Sequence, residues 1–175
     1  MDVITNYPEF ARDIKASFEE LTSDYNFVLF EVYDGCYELR NLKCILRFTY
    51  DRGDISCNIK NPFSKDNQFG YAVYSVFRYI FPNENSKIEN ESDYDPRLQL
   101  FNYSKIIKKY LIKIVNGDFS WVEGYLVEQK RFGNKIKFIR EQLEHNNPIK
   151  EKFLNGDISW QKDLDNYLEK HGIKL

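Results

Sequence analysis

"CILRFTYDRGDISCNIK", Cys44 to Lys60, alternates apolar and polar letters on both sides of a central "RG". If Arg52 and Gly53 form a two-residue loop, Phe48 faces Cys57 and Leu46 faces Ile59. All four apolar side chains then share one face, because successive residues of a strand point to opposite sides. The other face carries Lys43, Arg47, Ser56, Asn58 and Lys60. A sheet with one apolar and one polar face is antiparallel, with helices covering one side and water on the other.

Upstream, Val28, Phe30 and Val32 alternate with Leu29, Glu31 and Tyr33. Asp34-Gly35 is a hairpin signal of the type I′ kind, which needs positive φ at both positions. Tyr37 and Leu39 follow, then Leu42, Cys44, Leu46, Phe48 and Tyr50. The inward parity changes from odd to even at Arg40-Asn41, which predicts a β-bulge there. Before the strands, Asn6 and Glu9 have capping-box spacing. Phe10, Ile14, Phe18 and Leu21 then recur at helical spacing, to an end near Thr22 or Ser23. Downstream, Asn61-Pro62-Phe63 ends the last of these strands. Phe69 to Phe81 reads as a short strand or turn leading into a helix that stops before Pro82.

The stretch from Pro82 to Asp95 is polar and mostly acidic, with Glu84, Glu89, Glu91, Asp93 and Asp95 around Tyr94. Asp95 caps the following helix, with Pro96 at its first position, and Leu100, Tyr103, Ile107, Tyr110, Leu111 and Ile114 form its buried stripe. "VNGDFSW" (Val115 to Trp121) and "LNGDISW" (Leu154 to Trp160) are near copies. In each, an apolar helix runs into a glycine, Gly117 or Gly156, suited to the left-handed close of a helix. Ser120 and Ser159 are placed to cap the next helix, with Glu123 completing a capping box in the first copy. Trp121 and Trp160 pack into the elbows. Two copies are too few for a solenoid, so the heptapeptide is a structural corner written twice. A long helix with Tyr125, Phe132, Ile136, Ile139 and Leu143 inward runs to "HNNP", where Asn147 caps a short segment. A last helix runs from Trp160 to about His171.

The expected fold is α+β: an N-terminal helix, a three- to four-stranded antiparallel meander and a helical C-terminal half with two helix–NGDxSW–helix corners. Residues 1–82 form the helix and sheet and 83–95 the acidic loop. Residues 96–175 form a helical region packed on the first part as one globular unit.

Composition narrows the function. Lys and Arg total 25 against 27 Asp and Glu, which argues against a whole-chain field for nucleic acid. Three cysteines, an odd number, argue against a disulfide framework and for a reducing, cytoplasmic setting. The Lys-, Asn-, Ile- and Tyr-rich usage points to an AT-rich bacterial genome. No apolar run approaches the ~18 residues of a membrane span. His145 and His171 have no ligands at zinc spacing, and Cys36, Cys44 and Cys57 lack a nearby base. No cofactor motif occurs. "RGD" at Arg52 to Asp54 is turn chemistry.

Two charged surfaces remain. Lys130, Arg131, Lys135, Lys137 and Arg140 lie on the long helix with no acid among them, while Phe132 and Phe138 turn inward. They read first as a solvated face and second as a phosphate-binding stripe. The acidic set Glu84, Glu89, Glu91, Asp93, Tyr94 and Asp95 suits docking to a basic partner.

The order helix, hairpins with "YDRGDISCNI", helix and acidic loop resembles small bacterial proteins that include immunity proteins of polymorphic toxin systems. The "NGDxSW" corners resemble helical tails on such proteins. The resemblance implies a non-enzymatic cytoplasmic protein, without cofactor, that binds another protein, a toxin domain, and blocks it. Nucleic-acid binding through 130–140 and a small enzyme with a dispersed site are the alternatives.

Overall fold

Phe48 pairs with Cys57 and Leu46 with Ile59, as the alternation requires, across β3 (Ile45–Asp51) and β4 (Asp54–Lys60). Arg52 and Gly53 both take positive φ, 52° and 97°, so the turn has the I′ backbone at both positions. The computed structural model describes residues 7–64, 69–87 and 95–172. Within it β1 (Val28–Tyr33), β2 (Cys36–Arg40), β3, β4 and β5 (Tyr71–Ala72) form one antiparallel sheet in chain order.

The meander therefore has five strands, and the difference arises at Arg40-Asn41. Instead of a bulge within one long strand, the chain reverses. The Asn41 side-chain oxygen accepts the N–H groups of Lys43 and Cys44 at 2.8 and 2.7 Å, and the Asn41 N–H donates to the Cys44 carbonyl at 3.0 Å. This side-chain mimicry of a backbone turn splits the stretch into β2 and β3. Leu42, expected inward, stands at the tip of that turn and is 86% exposed. The Asp34-Gly35 turn also departs from the I′ expectation. Gly35 has φ of 74° while Asp34 is not in the left-handed region, and the β1–β2 register shifts between Glu31 and Tyr33.

One face of the sheet is dry. Leu39, Leu46, Phe48, Tyr50, Ile55, Cys57 and Ile59 are buried there. They lie against α1 (Phe10–Ser17), α2 (Glu19–Asp24), α3 (Val73–Ile80), α4 (Pro96–Tyr110) and α5 (Ile112–Val115). The apolar stripe Phe10, Ile14, Phe18 and Leu21 is fully buried, and the Phe18 and Phe48 rings meet at 4.9 Å. Full burial of each such side chain is worth roughly 1.5–3 kcal/mol. The α1–α2 break falls at Phe18; the expected Asn6 cap lies outside the described residues. The 69–81 segment holds both elements expected of it, β5 and then α3. Asp95 caps α4 as read from the sequence, accepting the Arg97 N–H at 2.9 Å ahead of Pro96.

The chain divides into two compact units, one ending at Trp121 and the other beginning at Val122. The first contains the sheet with α1 to α5. The second contains α6 (Val122–His145), α7 (Asn147–Leu154) and α8 (Trp160–Lys170), with Ile149, Leu164 and Leu168 buried under Phe138, Ile139, Trp160 and Tyr167. The division falls directly after the first heptapeptide. The cap of α7 is Asn146, one residue earlier than expected, accepting the Ile149 N–H.

Both corners close on left-handed glycines, Gly117 at φ 95° and Gly156 at φ 71°. Their capping chemistry differs from the expectation. Ser159 makes no side-chain cap bond; Asp157 accepts its N–H at 2.9 Å. Asp118 likewise accepts from the Ser120 N–H at 3.1 Å and from its hydroxyl at 2.6 Å. A carboxylate two residues upstream satisfies the turn, and the serines are donors. Trp121 packs edge-on against Tyr71 at 5.2 Å, and Trp160 against Phe153 at 5.2 Å.

Candidate functional site

β1 lies at the end of the strand order and pairs only with β2 among the described residues. Its sequence, "VLFEVY", is apolar at nearly every position, so turning Leu29 to the core leaves Val28 and Phe30 outward. They are 56% and 43% exposed, and Val32 and Tyr33 are exposed with them. The register shift after Glu31 brings Tyr33 opposite Cys36, on the same outer face as Phe30. Long apolar edge strands are what natural sheets usually shorten, cover or charge.

Beside it stands a charged cluster on the same face. Phe30, Glu38 and Arg47 are directly opposed across β1, β2 and β3. The Glu38 side chain is only 2% exposed and accepts from Arg40 Nε at 2.6 Å and Arg47 Nε at 2.5 Å. Burial pushes the Glu38 pKa up, but the hydrogen bonds and charges of Arg47 and Arg40 outweigh it and hold the carboxyl below its ordinary value. The Arg40 guanidinium carbon lies 4.9 Å from the Phe30 ring centroid, a cation–π contact.

A groove of about 560 Å³ opens at the Val28 end of β1. It is lined by Asp24 to Asn26, by Val28, Phe30 and Arg40 of the sheet, by the Asn41 to Lys43 turn and by Asn116. The turn is anchored by Asn41, whose side-chain amide donates to the Tyr25 carbonyl at 3.1 Å. Asn116 brings the first heptapeptide to this site. A Cβ added at the next residue, Gly117, would meet the Lys43 side chain at 3.3 Å. The corner thus lies close against Lys43 at the groove as well as turning the chain.

The residues singled out from the sequence fall elsewhere. Glu84 Oε2 accepts from the Tyr110 hydroxyl at 3.3 Å, and Asp95 is the α4 cap. Glu89, Glu91, Asp93 and Tyr94 lie outside the described residues. Lys130, Arg131, Lys137 and Arg140 are exposed on α6, while the side chain of Lys135 is outside the description. Phe138 packs on the second core as expected, but Phe132 does not turn inward and is exposed. Among the described α6 side chains, Phe138 and Ile139 are the ones that pack on the cluster around Ile149.

Burial pushes the Cys44 thiol up to about 12 and the Cys57 thiol well above its ordinary value, which suits inert core thiols. His171 closes α8 with Nδ1 2.7 Å from the Tyr167 carbonyl, and the His145 side chain is outside the description. Among the described residues no group of three or more His, Cys, Asp or Glu could hold a metal ion, and no helix is long and apolar enough to cross a membrane. β1 and its groove present, among the described residues, a strand edge without a neighbour, exposed rings and two guanidinium groups.

Set against known proteins, the chain matches no family model, no curated protein and no solved structure.

Proposed function

We propose that this chain is a non-enzymatic binding protein of the bacterial cytoplasm that docks another protein through β1 and its groove. The observation that carries the reading is the exposed apolar row Val28, Phe30, Val32 and Tyr33 on an edge strand. Exposed apolar surface of this kind is typical of protein-interaction sites, and strand edges recruit partners by adding a strand. Three free, buried cysteines are consistent with a reducing compartment. The resemblance to toxin immunity proteins supplies the biological sense: a scaffold that inhibits a toxin domain by covering its working surface.

A photo-crosslinking residue placed at Leu42 tests this in cells of the source organism. Leu42 should yield one discrete protein adduct, and Phe30→Asp should abolish it with the circular dichroism spectrum unchanged. Turnover of a small compound by the purified chain, abolished by one substitution, would sink the reading.

A second reading has one observation in its favour. Phe132 is exposed between Arg131 and the rest of the basic set on α6, and exposed rings beside cations stack on single-stranded bases. A low-salt gel shift with single-stranded RNA, lost on Lys130→Glu with Lys137→Glu, is its expected signature. No shift by the wild type removes it.

A further inference from the structure

We infer that the groove end of β1 takes an extended acidic and apolar segment of the partner, laid along the free strand edge with a carboxylate held between Arg40 and Lys43. The inference rests on the protein-binding reading and names the chemistry of what binds.

Charge is the first argument. The end row of the outer face carries Arg40 and Lys60, since Val28 opposes Arg40, Arg40 opposes Ile45 and Ile45 opposes Lys60; Arg47 stands one row further in, opposite Glu38, and Lys43 lines the groove. Arg40 and Arg47 enclose the Glu38 carboxylate between them, and Asp24 is the one carboxylate among the groove's described lining residues. This concentration of cations belongs to a chain whose formal net charge is −2. The opposite end of the same face carries Asp51 directly across from Asp54, with Arg52 of the turn 3.8 Å from Asp51, so two carboxylates there face one guanidinium. The sheet face is therefore polarised along its strands, and an acidic segment is drawn to the Val28 end.

Shape and hydrogen bonding supply the second argument. The outer edge of β1 has no strand neighbour among the described residues, so its backbone groups are placed for strand addition. Leu42 and Phe30 offer apolar contact on either side of the cations. The groove volume is within the range of ligand-binding clefts.

A second copy of the chain fits less well. Antiparallel self-pairing that keeps Phe30 on the outer face sets Glu31 opposite or diagonal to its own copy, and like charges so placed repel.

The test uses the full chain as bait for a random-peptide phage library, followed by fluorescence polarisation with one enriched peptide. Enriched peptides should carry Asp or Glu within alternating apolar residues. Lys43→Glu and Arg40→Gln should each weaken binding about tenfold or more, and Lys130→Glu should leave it unchanged. Enrichment of peptides without acids, no enrichment at all, or indifference to Lys43→Glu overturns the inference. A dimer in sedimentation velocity that Phe30→Asp converts to monomer also overturns it, in favour of a second copy. A Leu42 adduct that survives Lys43→Glu leaves the protein-binding reading standing and removes the acidic segment; absence of any adduct removes the reading itself.

Discussion

Gln99 holds the turn at Gly53 from the side of α4: its amide nitrogen donates to the Gly53 carbonyl at 3.1 Å, and its amide oxygen accepts the neighbouring Ile55 N–H at 2.6 Å. Tyr103, one turn along the helix, donates its hydroxyl to the Ile55 carbonyl at 2.9 Å. The "RGD" turn is thus fastened to the helix layer by side chains. Gln99→Ala strands a buried backbone N–H and should cost about 1–3 kcal/mol in urea unfolding. Tyr103→Phe removes one bond and should cost about 0.5–1.5 kcal/mol. Faster amide exchange at Ile55 in Gln99→Ala, with α6 unchanged, would locate the effect.

Two glycines with positive φ separate conformational strain from steric conflict. At Gly53, φ 97°, an added Cβ meets nothing within 4 Å. At Gly70, φ 81°, it falls 2.7 Å from the Ile59 carbonyl oxygen, which belongs to β4. Gly53→Ala should cost the left-handed penalty alone, about 1–2 kcal/mol. Gly70→Ala should cost more, because strand backbone has to move. Equal midpoints in denaturant would show that the segment at Gly70 yields freely.

The β3–β4 hairpin was legible because both partners lie in one unbroken alternation, so a single turn assignment fixed every pair. The break at Asn41 was visible only as a change of parity. A bulge and a four-residue reversal both switch the facing, and "NLKC" has no glycine or proline to separate them; the deciding bonds come from the Asn41 side chain. The site was hidden for a related reason. "VLFEVY" is apolar on both parities, so its letters do not say which row meets water, and the strand order that leaves β1 at an edge is a property of the whole sheet. The acidic and basic runs drew attention because charge is conspicuous in sequence, whereas Glu38, Arg40 and Arg47 become a cluster only when β2 and β3 pair.

The corners assign their capping work to aspartate, which separates two substitutions that look alike on paper. Asp157 Oδ1 accepts the Ser159 N–H, while the Ser159 hydroxyl makes no cap bond. The Asp157 carboxyl is held below its ordinary pKa by the backbone and side-chain hydrogen bonds of Ser159. Asp157→Ala should therefore lower the melting temperature of the chain more than Ser159→Ala does. The same order is expected of Asp118→Ala and Ser120→Ala, since Asp118 accepts the Ser120 N–H in the same way. Serine variants at least as damaging as the aspartate ones would return the cap to serine.

Acid should unfold the first unit through Asp13. This buried carboxylate of α1 accepts from the Tyr7 hydroxyl at 2.5 Å, Arg97 Nε at 2.9 Å and Arg12 Nε at 3.1 Å. Burial pushes its pKa up, but the bonds from Tyr7, Arg97 and Arg12 outweigh burial and set it below the ordinary value. A carboxyl with a depressed folded pKa contributes stability that is complete above its unfolded pKa, about 3.9, and is lost as pH falls through the folded value. Tyr7 has the opposite sign. Burial and the Asp13 carboxylate raise its phenol to about 12, so its contribution is complete below the unfolded pKa of about 10 and fades as pH rises toward 12. Unfolding free energy measured across pH should thus drop at both ends for the wild type. Asp13→Asn should cost about 1–3 kcal/mol at neutral pH and flatten the acid limb, with Glu38→Gln flattening it further. Tyr7→Phe should flatten the alkaline limb, and an acid limb in Asp13→Asn that runs parallel to the wild type would remove Asp13 from the account.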